Sequence, residues 1–69
     1  MSETAADPLP VQIKTLLLSD RLEEARTLIE NGLARTPDSA SLLRDLARLS
    51  IAEESFDRAV EALTRAAAL

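Results

Sequence analysis

Pro37 divides this chain. It stands in Thr36-Pro37-Asp38-Ser39, between two stretches whose apolar side chains recur at α-helical spacing. A proline in a helix interior removes a hydrogen bond and clashes with the preceding turn. It also pushes Thr36 out of the α region, while Asp38 or Ser39 can cap the helix that follows. No single long helix can therefore run through the sequence.

Each side of the break divides again. Residues 1–7 show no periodicity and read as a flexible leader. Asp7-Pro8-Leu9-Pro10 is a start signal, a capping Asp followed by prolines that only a first helical turn tolerates. Leu9, Ile13, Leu16 and Leu17 then fall on one helical face until Ser19-Asp20 interrupts. Asp20 with Glu23 three residues on predicts a capping box opening a second helix. Its apolar face is Leu22, Ala25, Leu28, Ile29, Gly32 and Leu33.

Beyond Pro37, a third helix carries Leu42, Leu43, Leu46, Ala47 and Leu49. Glu53-Glu54-Ser55 marks the next turn, with Ser55 as the expected cap. The fourth helix presents Phe56, Ala59, Val60, Leu63, Ala66 and Ala67. Glu54 with Arg58, and Glu61 with Arg65, stand four apart in the order that favours ion pairing. Short turns make each pair of helices an antiparallel hairpin, one over 8–37 and one over 38–69.

Composition agrees. Leu (13) and Ala (12) are strong helix formers, and one glycine leaves little turn chemistry for β-hairpins. The expected fold class is all-α. The chain has no cysteine and no histidine, so it has neither a disulfide framework nor a thiol or imidazole for catalysis or metal binding. A net charge of −4 disfavours nucleic acid, and no basic face suits an anionic membrane. The longest apolar run, Leu16-Leu17-Leu18, is far too short for a span. No signal peptide is visible, and the expected location is cytoplasmic.

The two halves resemble each other. A shift of 34 residues sets Ala25 on Ala59, Leu9 on Leu43, Leu22 on Phe56 and Ile29 on Leu63. It also sets Gly32 on Ala66, Leu17 on Ile51, Lys14 on Arg48 and Asp20 on Glu54. Small residues meet small ones, and large apolar residues meet large apolar ones. On these positions residues 6–69 resemble the tetratricopeptide repeat (TPR) family. The closest stretch is Asp20-Arg21-Leu22-Glu23-Glu24-Ala25, followed by Ile29, Gly32 and Pro37. The second copy shows Leu43, Leu46 and Ala47, then Phe56, Ala59, Leu63 and Ala66. The resemblance implies two stacked helix hairpins, a fragment of a right-handed α-solenoid. Gly32 admits two readings: a terminator near Asn31, or a close-contact point in a helix running to Arg35. Ala66 at the matching place favours the second.

Candidate chemistry is sparse. Glu23-Glu24 and Glu53-Glu54 are adjacent carboxylates without a neighbouring base, and they suit first turns and inter-helix corners better than catalysis. The expectation is a non-catalytic protein–protein interaction module with no cofactor or metal. In TPR arrays the first helix of each hairpin lines a groove, which implies groove roles for Lys14, Leu17, Leu18, Arg44, Arg48 and Ile51 (with Ala52 beside them). Such a basic and apolar strip suits a peptide or helix with acidic groups. A second surface is expected at the C-terminal face, where Ala62, Ala66 and Leu69 form an apolar stripe that needs a cover. Self-association into a homo-oligomer, or docking on a larger protein, would provide one. The alternatives are an assembly or regulatory segment of a larger enzyme or secretion machine, and a simple dimerising four-helix bundle.

Overall fold

The computed structural model describes residues 8–69; the leader and the Asp7 cap lie outside the described residues. Four helices follow in order: α1 (Pro8–Leu18), α2 (Leu22–Arg35), α3 (Ala40–Ala52) and α4 (Phe56–Ala67). The fold is all-α. Helix α1 packs on α2, and α3 packs on α4. Helix α3 also packs on both α1 and α2, whereas among the described residues α4 meets α3 alone.

The main core forms where the first three helices meet. Ile13, Ala25, Ile29, Leu42 and Leu49 are buried together, ringed by half-buried leucines including Leu9, Leu17 and Leu22. A smaller cluster of Ala47, Ala59 and Ala62 joins α3 to α4, and Leu46 touches both clusters. Gly32 belongs to the helix rather than ending it. It is buried within α2, has no positive φ, and a Cβ placed there would stand 2.8 Å from Leu42 Cδ1. The missing side chain lets α3 approach.

The two hairpin turns share one design. Asp20 and Glu54 both adopt left-handed backbone, with φ of 60° and 61°. In the first turn Arg21 N–H donates to the Leu16 carbonyl and Asp20 N–H to that of Leu17. In the second, Ser55 N–H donates to the Ser50 carbonyl and Glu54 N–H to that of Ile51. These are paired Schellman closures, which satisfy the last carbonyls of a helix through a left-handed residue. Every donor and acceptor of the first turn recurs 34 positions later.

That design corrects the expected capping box. Asp20 closes α1 instead of opening α2; the N-cap position falls to Arg21, and no side chain caps it. Ser55 does occupy the α4 N-cap position, but its hydroxyl makes no cap bond. Of the two expected caps of α3, Asp38 and Ser39, it is Ser39 that takes the role, its hydroxyl accepting from Leu42 N–H at 3.2 Å. The pairs Glu54–Arg58 and Glu61–Arg65 are not formed among the described residues. Ion pairs form instead between Arg21 and Glu24, and from Arg26 to Glu30 and Glu53.

The inward face of α4 also differs from expectation. Phe56, Val60 and Leu63 are 60%, 63% and 46% exposed, while Ala59 and Ala62 are buried. The seam with α3 is an alanine-on-alanine contact, so the helices approach closely and the large side chains are rotated out of it. Ala62, expected on an exposed stripe, is only 1% exposed because it fills this seam against Ala47.

Candidate functional site

The α1 turn that carries Lys14, Leu17 and Leu18 lies beside the turn of α3 that carries Arg48. These four side chains line a concavity of about 250 Å³. Lys14 and Arg48 are related by the 34-residue shift, so equivalent positions of the two hairpins place their cations at one cleft. Of its two leucines, Leu17 is half-buried and Leu18 is 78% exposed. Its apolar and cationic lining thus comes from two helices brought together by the packing of α3 on α1.

Arg44 and Ile51, also expected here, do not line this cleft. Both are exposed on α3, Arg44 about one turn before Arg48 and Ile51 one turn after it. The remaining expected surface residues separate. Leu69 is exposed and Ala66 half-buried, whereas Ala62 lies in the α3–α4 seam.

Asp45 tunes the cleft. It is buried on α3, and its Oδ1 accepts from Arg48 Nη1 at 3.0 Å. Burial raises its pKa above the ordinary carboxylate value, and Arg48 and Arg44 pull it back only in part. One consequence is positional: the bond holds the Arg48 guanidinium by one terminal nitrogen, Nη1, while the side chain stays exposed and lines the cleft. Asp45 was legible as an inward residue. It lies three residues after Leu42 and four before Leu49, both buried, so it shares their helical face.

The carboxylate pairs have structural surroundings. Glu23 and Glu24 occupy the first turn of α2, and Glu24 pairs with Arg21 at 3.4 Å. Glu53 follows α3 and pairs with Arg26, tying the end of α3 to the middle of α2. The Arg26 guanidinium pKa is raised, first by its hydrogen bond to Glu53. This cross-helix tie had no sequence signal, since its members lie 27 residues apart. Among the described residues no cluster of acidic side chains could hold a metal ion, and no helix is long and apolar enough to cross a membrane.

Searches for similar proteins found no match to this chain among family models, curated proteins or solved structures.

Proposed function

We propose that the chain is a non-catalytic protein–protein interaction and assembly module of the TPR type, whose groove takes an acidic peptide or helix. The observation that carries this reading is the cleft in which Lys14 and Arg48 flank Leu17 and Leu18. An apolar side chain of the ligand would enter between the leucines, and carboxylates on either side would meet the two cations. The TPR assignment draws support from the recurrence of both hairpin turns, of Lys14 as Arg48 and of the small Gly32 as Ala66, all at one spacing. The right-handed stacking of the hairpins belongs to the same proposal, as does a cytoplasmic site of action.

Affinity should be modest, because the cleft is small and its cations are solvated. A ¹⁵N-labelled sample titrated with a synthetic amphipathic peptide of alternating leucine and glutamate tests the reading. Shifts concentrated at Lys14, Leu17, Leu18 and Arg48 are expected, and they should weaken as salt is added. Shifts scattered over all four helices, or none at millimolar peptide, would reject the groove.

A further inference from the structure

We infer that Asp45 sets the anion selectivity of the cleft: its buried carboxylate holds Arg48 and competes for that cation with any anionic group a ligand brings. The inference deepens the proposed function and rests on its reading of the cleft as a site for acidic ligands.

Among the described residues Asp45 is the one buried ionisable side chain, 7% exposed. Its Oδ1 accepts from Arg48 Nη1 at 3.0 Å, its only hydrogen bond among the described residues. An ionised carboxylate can accept about four such bonds, so a single one is little compensation for its burial. Arg48 differs. Its side chain is 67% exposed and lines the cleft with Lys14, Leu17 and Leu18. One guanidinium is thus shared between a buried carboxylate, through one terminal nitrogen, and the ligand site. Lys14 forms no ion pair among the described residues.

The two cations are therefore unequal. Lys14 offers a ligand its full charge. Arg48 divides its charge between Asp45 and the cleft, and a ligand carboxylate set against it stands near a second carboxylate that is poorly solvated. The cleft carries one surplus positive charge while Asp45 is ionised, and two once Asp45 is protonated. Anion binding and protonation of Asp45 then favour one another, each by the same factor. Burial already favours the proton, raising the Asp45 pKa above the ordinary carboxylate value.

The surrounding charges leave this role to Asp45. On α1, Lys14 is the sole ionisable side chain, and it lies across the cleft from Arg48. On α2, Arg26 is held by Glu30 and Glu53, and Glu24 by Arg21. Glu23 is exposed in the first turn of α2, and Arg35 lines a separate cavity with Ser39 and Ser41. On α4, Asp57, Arg58, Glu61 and Arg65 are all exposed, and that helix meets α3 through Ala59 and Ala62. The charges that act on the Asp45 carboxyl are Arg48 first and then Arg44, both on its own helix.

Calorimetric titration of the full chain and of Asp45→Asn with a peptide of alternating leucine and cysteic acid tests the inference, because sulfonates stay ionised in mild acid. At low salt and about pH 7, Asp45→Asn should bind about threefold more tightly, with helicity unchanged. The two proteins should converge as the pH falls toward about 4. Every other carboxylate is common to both, so the ratio of affinities isolates Asp45. In an Arg48→Gln background the same substitution should change affinity little. A second measurement needs no variant: the ¹³Cγ titration of Asp45 in the wild type should move to higher pH when the peptide saturates the cleft. Equal or weaker binding by Asp45→Asn at neutral pH, a ratio unchanged by pH, or an Asp45 titration unmoved by peptide would each overturn the inference while leaving the groove in place. Binding by neither protein at millimolar peptide would reject the groove itself, and the inference with it.

Discussion

Gly32 and Leu42 are in contact because Gly32 has no side chain: a Cβ at Gly32 would lie 2.8 Å from Leu42 Cδ1 and 3.3 Å from Leu9 Cδ2. Gly32→Ala gains helix propensity of about 1 kcal/mol, which roughly offsets the displacement of three leucine methyls, both of Leu42 and Cδ2 of Leu9, at the ends of side chains that can shift. Its stability should therefore stay within about 1 kcal/mol of wild type. Gly32→Leu cannot be absorbed in this way and should cost about 2–4 kcal/mol by separating α2 from α3. Urea unfolding of the two variants measures the difference.

Backbone strain at the turns makes a second prediction. Asp20 and Glu54 hold left-handed conformations that glycine adopts freely. Glu54→Gly should raise stability by about 1 kcal/mol, and Asp20→Gly by less, since a short polar side chain tolerates that region better. In a domain of this size the first corresponds to a melting shift of about 4–8 °C. Glycine at Phe56 instead, within α4 and exposed, should lower the melting point.

Asp45 governs a pH effect. Its folded pKa is raised by burial, so the folded state binds its proton more tightly than the unfolded chain does. The resulting stabilisation is fully present below the unfolded pKa of about 3.9 and is lost as pH rises through the folded value. Asp45→Asn should therefore melt higher than wild type at pH 7, by a few degrees, and equally at pH 3. Thermal melts of both proteins across this range isolate the residue, because all other carboxylates cancel in the difference. Arg48→Ala removes the main partner of Asp45 and should steepen the wild-type dependence.

Arg26 and Glu53 form the tie between α2 and the end of α3, and both side chains are largely shielded from solvent. A double-mutant cycle with Arg26→Gln and Glu53→Gln should yield a coupling of about 1 kcal/mol that falls in high salt. The Arg21–Glu24 pair is exposed at both ends, and the same cycle there should give near zero.

Much of this architecture could be read from residues alone, and the failures share a cause. The break at Pro37, the Ser39 cap and the inward faces of α1 to α3 follow from local chemistry: ring geometry, a hydroxyl near free N–H groups, and a period of 3.6. Gly32 was legible because Ala66 stands at the same place in the second half. Asp20 was not, since an Asp before a Glu at the third position suits the start of α2 as well as the end of α1. Only the tight pairing of the helices selects the left-handed closure. The rotation of α4 was hidden for a similar reason. Its large residues and its alanines both recur at helical spacing, and close packing on Ala47 chose the alanines. Of the residues that the TPR resemblance implies for a groove, Lys14, Leu17, Leu18 and Arg48 line one concavity, while Arg44 and Ile51 fall outside its lining.

Charge reversal tests the groove most directly. Lys14 forms no ion pair among the described residues, so Lys14→Glu reverses the charge at that position without removing a partner from any existing ion pair. Fluorescence anisotropy with a labelled leucine–glutamate peptide should show binding to the wild type and at least a tenfold loss in Lys14→Glu. A leucine–lysine peptide should show the opposite preference. Equal affinity of both proteins for the acidic peptide, at low salt and with helicity intact, would contradict an acidic ligand in this cleft.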